Sequence, residues 1–194
     1  MNGMHPSSRA FFEAQYRASP DPWRFACSPY ELQRYQATLS ALSQPSYERA
    51  FEPGCSVGVL TAALASRCRS VLACDIAQSA VSLARARCKE FSHVTIVQGD
   101  VAETIPRQAF DLIIFSELGY YFSAPVLHDV ALRVAGHLEP GGEFIAVHWL
   151  GRSADHVLHG DQVHAVLADS LPFEPTTRRR YTGFRIDSWR RRGE

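Results

Sequence analysis

The sequence predicts an α/β fold: a doubly wound, mostly parallel sheet with helices on both faces. Three observations predict it. From Tyr47 onward, short apolar runs alternate with amphipathic helical stretches. A glycine-bearing turn, Pro53 to Gly58, follows the first run. The first four runs each lead into an acidic residue on the same edge of the expected sheet: Glu52, Asp75, Asp100 and Glu117. Strands alternating with helices imply parallel pairing, and right-handed crossovers then leave a doubly wound topology.

The elements follow in order. Residues 7–17 place Phe11, Phe12 and Tyr16 at helical spacing. The turn-rich Ser19-Pro20-Asp21-Pro22-Trp23 ends that helix, and Ser28-Pro29 reads as an N-cap with proline in the first turn of the next. This second helix is expected to run to about Leu42, with Leu32, Tyr35, Leu39 and Leu42 on one face. Strands are expected at 47–52, 70–74, 93–98, 110–115 and 142–148, and helices near 57–67, 77–90 and 123–138. In the last of these, Leu127, Val130, Val134 and Leu138 recur at the helical period. Glu139-Pro140-Gly141-Gly142 reads as a helix stop. A helix near 161–170, capped by Asp161, precedes strand-like segments at 173–181 and 184–191 around Tyr181-Thr182-Gly183. That hairpin gives the sheet an antiparallel edge. Residues 1–194 are expected to form a single domain, with 1–45 as a helical lid and 46–194 as the core.

Composition narrows the function. Twenty basic and twenty acidic residues give zero formal charge, which argues against a general affinity for nucleic acid. No apolar run approaches the roughly 20 residues that span a bilayer. The start, MNGMHPSSRAFFEAQYR, lacks a charged region followed by an apolar stretch, so a cytoplasmic location with no membrane partner is expected. Cys27, Cys55, Cys68, Cys74 and Cys88 form no CxxC pair and are expected to be reduced thiols. The arginine-rich end, including Arg178, Arg179, Arg180 and Arg185, reads as a charged edge that resists further strand pairing.

The chemistry is expected at the turn Glu52-Pro53-Gly54-Cys55-Ser56-Val57-Gly58. Glycine permits a tight turn and close approach of a ligand, and ligands of such sheets bind beyond the carboxyl ends of the strands. The spacing is not the G-x-G-x-x-G of dinucleotide folds. An acid opening the turn repels a pyrophosphate but suits a cationic or zwitterionic ligand, such as the sulfonium and α-ammonium of S-adenosylmethionine. Asp75, 23 residues after Glu52, can accept two ribose hydroxyls. Asp100, in Gln98-Gly99-Asp100-Val101, can reach an adenine amino group. An acid after a strand also commonly caps the next helix; the four together with Gly54 and Gly58 favour a ligand. Asp111, which opens its strand, reads as structural.

FEPGCSVG, LACD, QGDV, FDLIIFSE and LEPGG, in that order, resemble class I S-adenosylmethionine-dependent methyltransferases from about residue 47 to the end. The resemblance implies a Rossmann-like seven-stranded sheet with a reversed last strand, and S-adenosylmethionine as cofactor. The family's middle glycine is Ser56 here. Asp21-Pro22-Trp23-Arg24, Ser28-Pro29-Tyr30-Glu31, Arg34-Tyr35, Glu117-Leu118-Gly119-Tyr120-Tyr121 and the cysteine of the turn further resemble the nodulation protein S group, whose members N-methylate the free amine of a deacetylated chitooligosaccharide. That resemblance implies that Trp23 and Arg34 lie near the cofactor, with Arg34 able to pair with its methionine carboxylate; Trp23 could equally be a hydrophobic plug. With them at the cofactor are expected Glu52, Gly54, Cys55, Ser56, Gly58, Asp75, Ile76, Gly99, Asp100, Val101 and Ser116.

Methyl transfer from a sulfonium is an in-line displacement that depends on proximity and a neutral nucleophile. The expected catalytic residues are Glu117, Tyr120, Tyr121 and His148, the histidine titrating near neutral pH unless it merely caps the sheet. His156, His159, Asp161 and His164 lie in the segment 149–164 but lack tight ligand spacing, so no metal is expected; this loop could form a wall of the substrate pocket. The expected acceptor is the amine of an amino sugar or related small metabolite. The alternatives are an O-methyltransferase, a nucleotide-dependent oxidoreductase, and a non-catalytic cofactor-binding regulatory partner.

Overall fold

The computed structural model describes residues 8–103, 105 and 107–193. The chain runs α1 (Arg9–Ala18), α2 (Pro29–Ala41), β1 (Tyr47–Pro53), α3 (Val59–Leu64), β2 (Cys68–Asp75), α4 (Gln78–Arg87), β3 (Val94–Gln98), β4 (Phe110–Ser116), a 3-10 turn (Gly119–Tyr121), α5 (Ala124–Ala135), β5 (Leu138–Trp149), α6 (Gly160–Ser170), β6 (Glu174–Arg180) and β7 (Phe184–Arg190). The seven strands form one sheet in the order β3-β2-β1-β4-β5-β7-β6. Strands β1 to β5 pair in parallel, and β7 lies antiparallel to both β5 and β6. The reversed strand is therefore inside the sheet, and the edge expected to be antiparallel is β6. Arg178, Arg179 and Arg180 are exposed on that edge.

Strand β4 shows why the sheet is buried on both faces. Phe110, Leu112, Ile113, Ile114 and Phe115 are all fully buried. Successive side chains of a strand alternate faces, so Ile113 and Phe115 pack with Leu127, Val130 and Val134 of α5. Leu112 and Ile114 pack on the other face with Tyr35 of α2 and Leu60 and Leu64 of α3. A continuous apolar run is what a doubly covered parallel strand requires. Asp111 is structural as expected: its two oxygens accept the backbone N–H groups of Glu48 and Arg49, each at 2.8 Å, and pin the start of β1.

Three boundaries differ from the sequence reading. Helix α5 stops at Ala135, and Leu138 already belongs to β5. Glu139-Pro140-Gly141-Gly142 is not a helix stop but an irregularity within β5: Phe110 pairs with Leu138, while Leu112 pairs with Glu143. Gly141 lies at φ +78° there, and its N–H donates to Arg191 O. Helix α6 is capped by His159, whose ring nitrogen accepts from Asp161 N; Asp161 instead pairs with Arg180 and Arg185.

Helix α2 carries the most consequential difference. Leu32, expected inside, is 59% exposed. The inward face holds Glu31, Arg34, Tyr35, Thr38 and Ala41. These positions keep the helical period, so the helix is where hydrophobic spacing puts it but is rotated to bury an ion pair. The break in strand order falls between β1 and β4, next to β2, where a ligand crevice opens at the strand ends. Helices α1 and α2 sit beside that opening.

Candidate active site

The crevice at the ends of β1, β2 and β4 encloses ≈ 670 Å³ of empty space, part of it open to solvent. Its floor comes from Gly54, Ser56, Asp75, Ile76, Gly99 and Asp100, and its aromatic wall from the N-terminal part of the chain. The charged side chains lining it are Asp75, Asp100 and Glu117, all acidic. Trp23 is half-buried, stacked on Phe25 at 5.8 Å and edge-on to Tyr16 at 5.5 Å. It lines the cleft and so meets both readings made from the sequence. Phe12, Tyr16 and Phe25 line the cleft too; their helical or turn spacing gave no sign of it.

Local geometry explains the turn. Ser56 lies at φ +50°, which is why a glycine suits this position. The serine is held there by two bonds. Its N–H donates to Asp75 Oδ2 at 2.9 Å, and its hydroxyl accepts from Tyr16 Oη at 2.6 Å. Asp75 is 7% exposed, and its other oxygen accepts from Ala77 N at 2.9 Å. Burial pushes its pKa up to about 6 despite these bonds. Each carboxylate oxygen keeps a lone pair for a hydroxyl donor.

Glu52, 3% exposed, has a buried oxygen, Oε2, with no hydrogen-bond partner. Burial raises its pKa to about 8. With Arg34, Cys55 and Ser116 it lines a smaller cavity that shares Gly54, Ser56 and Glu117 with the main cleft. Gly58 lines neither cavity. It caps α3 at φ +76°, and a Cβ there would lie 2.9 Å from Ala84 Cα. Close packing of α3 on α4 accounts for a glycine at this position.

A second cavity of ≈ 850 Å³, part of it open to solvent, lies against the first across Trp23, Phe25, Glu117 and Tyr121. Tyr30, Glu31, Tyr120, Trp149 and His156 complete its working surface. His156 stacks on Tyr120 at 3.8 Å, so the loop after β5 does contribute a wall.

Glu117 lies between the cavities at φ +55°. Its Oε1 accepts from Trp149 N at 2.7 Å, and its Oε2 accepts from Tyr120 Oη at 2.5 Å. Oε2 also lies 2.6 Å from Arg34 Nη1, while Arg34 Nη2 pairs with Glu31. Burial opposes the charge on Arg34, but Glu117 and Glu31 outweigh it and hold its pKa above the ordinary value. Both terminal nitrogens are thus occupied. A two-pronged grip on a ligand carboxylate must displace one of these ion-pair partners; Nε and Nη1 themselves make no regular hydrogen bond. Arg24, Ser56 and Glu117 are the non-glycine residues with positive φ among those described, and all three line this pair of cavities. Backbone strain gathered at one site is a mark of function.

His148 is not where the sequence reading put it. It is fully buried and lines neither cavity. Its Nε2 accepts from Gly119 N at 3.1 Å, and its Nδ1 faces His164 Nε2 at 3.3 Å. His164 Nδ1 in turn lies 3.0 Å from Asp187. Burial, then His164, drives the His148 pKa well below 6.5, so it stays neutral. The side chain is buried between β5 and α6 and anchors the 3-10 turn. Gly119 is required for that contact, since a Cβ would lie 2.3 Å from Val163 Cγ1. Among the described residues no group of three or more His, Cys, Asp or Glu is placed to hold a metal ion. All five cysteines are free.

The family description Nodulation protein S (NodS) matches residues 9–184. The chain belongs to the nodulation protein S family. Nodulation protein S of Sinorhizobium fredii (strain NBRC 101917 / NGR234) is 34% identical over 164 residues, covering 79% of this chain and 74% of that one. A Pseudomonas syringae crystal structure, described as a candidate methyltransferase, is 37% identical with a TM-score of 0.75, over 84% of this chain and 99% of that one. The N-methyltransferase NodS of Bradyrhizobium japonicum WM9, crystallised with S-adenosyl-L-homocysteine, has a TM-score of 0.82 at 23% identity, over 93% of this chain and 97% of that one. The fold of this NodS-family chain is therefore the Rossmann-like methyltransferase fold. No helix among the described residues is long and apolar enough to cross a membrane.

Proposed function

We propose that this chain transfers a methyl group from S-adenosylmethionine to the amine of a small acceptor, an amino sugar or a related metabolite. One observation carries the reading: every charged side chain lining the cleft at the strand ends is a carboxylate. A cationic adenosine ligand is attracted there, whereas the pyrophosphate of a dinucleotide would face Asp75, Asp100 and Glu117 with no basic partner. That counts against the oxidoreductase alternative. Family membership and the names of the Bradyrhizobium and Pseudomonas relatives support the same cofactor and reaction class.

The residues divide the work. Asp75 takes the ribose hydroxyls, and Asp100, with Ile76, Gly99 and Val101, surrounds the adenine. Glu52, with its unpartnered oxygen, receives the α-ammonium, while Gly54, Cys55, Ser56 and Ser116 shape the path between them. The bound cofactor supplies an electrophilic methyl on a sulfonium. The first 45 residues act as a lid, with Phe12, Tyr16 and Trp23 excluding water. Glu117, Tyr120 and Tyr121 form the passage through which the acceptor reaches the cleft. The tyrosines remain neutral, because burial raises both pKa values.

Calorimetry with S-adenosylhomocysteine, NADH and the Asp75→Ala variant tests this reading. Micromolar binding of S-adenosylhomocysteine, weakened at least tenfold in the variant and absent for NADH, is expected. Preference for NADH, or no binding of either, would remove the reading.

A further inference from the structure

We propose that Glu31 is the proton acceptor for the substrate amine. This rests on the amine-methylating reading above and assigns a step that the reading leaves open. An amine enters as an ammonium near neutral pH and is not a nucleophile until it loses a proton. Some group in the second cavity must take that proton before the nitrogen meets the methyl carbon.

The cavity offers three candidates, and their surroundings separate them. Glu117 accepts from Trp149 N and Tyr120 Oη and pairs with Arg34. Both of its oxygens are thus already engaged by donors, which leaves little room for a proton from the acceptor. His156 lies flat against Tyr120 at 3.8 Å, and burial lowers its pKa below 6.5, making it a weaker base than a free imidazole. Glu31 differs from both. It lies in the first turn of α2, 6% exposed, and lines the cavity. Its Oε2 faces Arg34 as an ion pair yet has no regular hydrogen-bond partner among the described residues. Burial outweighs Arg34 and raises its pKa to about 7, which is favourable for a base working near neutrality.

The charged and titratable groups facing Glu31 are Arg34 on its own helix, Asp21 from the preceding turn and Glu117 beyond β4. Arg24 and His156 share the cavity wall, and the phenol of Tyr30 is held neutral by burial, its pKa about 12. Glu31 and Glu117 share one guanidinium, so the trio carries one net negative charge when Glu31 is ionised and none when it is protonated. The empty trio attracts an ammonium; the protonated trio releases the attraction once the proton has moved. In the step itself, the ammonium N–H gives its proton to Glu31. The nitrogen lone pair then attacks the methyl carbon, and the electrons of the methyl–sulfur bond return to sulfur. The products are a methylammonium, a neutral thioether and protonated Glu31, which loses its proton to solvent.

The test uses the full chain loaded with S-adenosylhomocysteine for spectroscopy and with S-adenosylmethionine for turnover. Glutamate side-chain carbons labelled with ¹³C are titrated by NMR in wild type and Glu31→Gln. A resonance with a midpoint near 7, missing in the variant, is expected. No such resonance, or its persistence in the variant, overturns the proposal without any need for an acceptor. With glucosamine and benzylamine as acceptor probes, Glu31→Gln is expected to lower kcat/KM about 10²- to 10⁴-fold and to abolish the acidic limb of the pH profile. Glu31→Asp should restore that limb in part. An unchanged limb in Glu31→Gln overturns the role. Binding of S-adenosylhomocysteine should stay within twofold of wild type in both variants; its loss in wild type would sink the cofactor reading instead.

Discussion

Replacing Glu117 by glutamine should expose how much of the site depends on one partly buried charge. Glutamine keeps the length of the side chain, and its carbonyl can still accept from Trp149 N. What it loses is the negative charge 2.6 Å from Arg34 Nη1. Arg34 is 1% exposed, so water cannot replace that partner. Removing one member of a buried pair ordinarily costs about 3–5 kcal/mol. Glu31 remains on the other arm of the guanidinium, which limits the loss to about 2–3 kcal/mol, the value of one hydrogen bond to a charged group. For a chain of this size each kcal/mol lowers Tm by about 2–4 °C, so a fall of about 4–12 °C is expected in urea-calibrated thermal unfolding. Combining the change with Arg34→Met should recover part of the loss, because the stranded charge disappears, giving a coupling energy of about 1–3 kcal/mol. A Glu117→Gln variant within about 0.5 kcal/mol of wild type, or strict additivity in the cycle, would refute the view that Arg34 depends on this ion pair.

Two further outcomes follow from the turn after β1. Gly58→Ala should destabilise by about 2–4 kcal/mol, since a side chain at φ +76° costs about 1–2 kcal/mol and the 2.9 Å contact with Ala84 adds to it; denaturant midpoints measure this, and the affinity of the folded protein for S-adenosylhomocysteine should stay within about threefold. Glu52, raised to about 8, is mainly protonated at neutral pH in the free protein, and an arriving α-ammonium lowers its pKa. Binding should therefore release nearly one proton at pH about 7 and tighten as pH rises toward about 8. Calorimetry in buffers of different ionisation enthalpy reads the proton directly, and Glu52→Gln should abolish it; equal heats in all buffers would contradict the assignment.

The sequence by itself determined the alternating strands and helices, the reversed strand near the end, and the row of acids at Glu52, Asp75, Asp100 and Glu117. Each depends on local patterning, because burial on two faces demands continuous apolar runs and a strand end places the next residue at the ligand edge. Tertiary structure decided what those residues do. His148 sits at the correct strand end, yet a histidine of α6, 16 residues later, holds it beneath that helix and away from the cavities. Glu139 to Gly142 carry helix-stop residues, yet pairing with β4 and β7 makes them a bulge. Leu32 and Glu31 are neighbours on a helix whose period fits either face. Only the carboxylate of Glu117, 86 positions from Glu31 and brought to the same guanidinium by the sheet, turned the polar side inward, because a charge leaves water only when its partners are already in place.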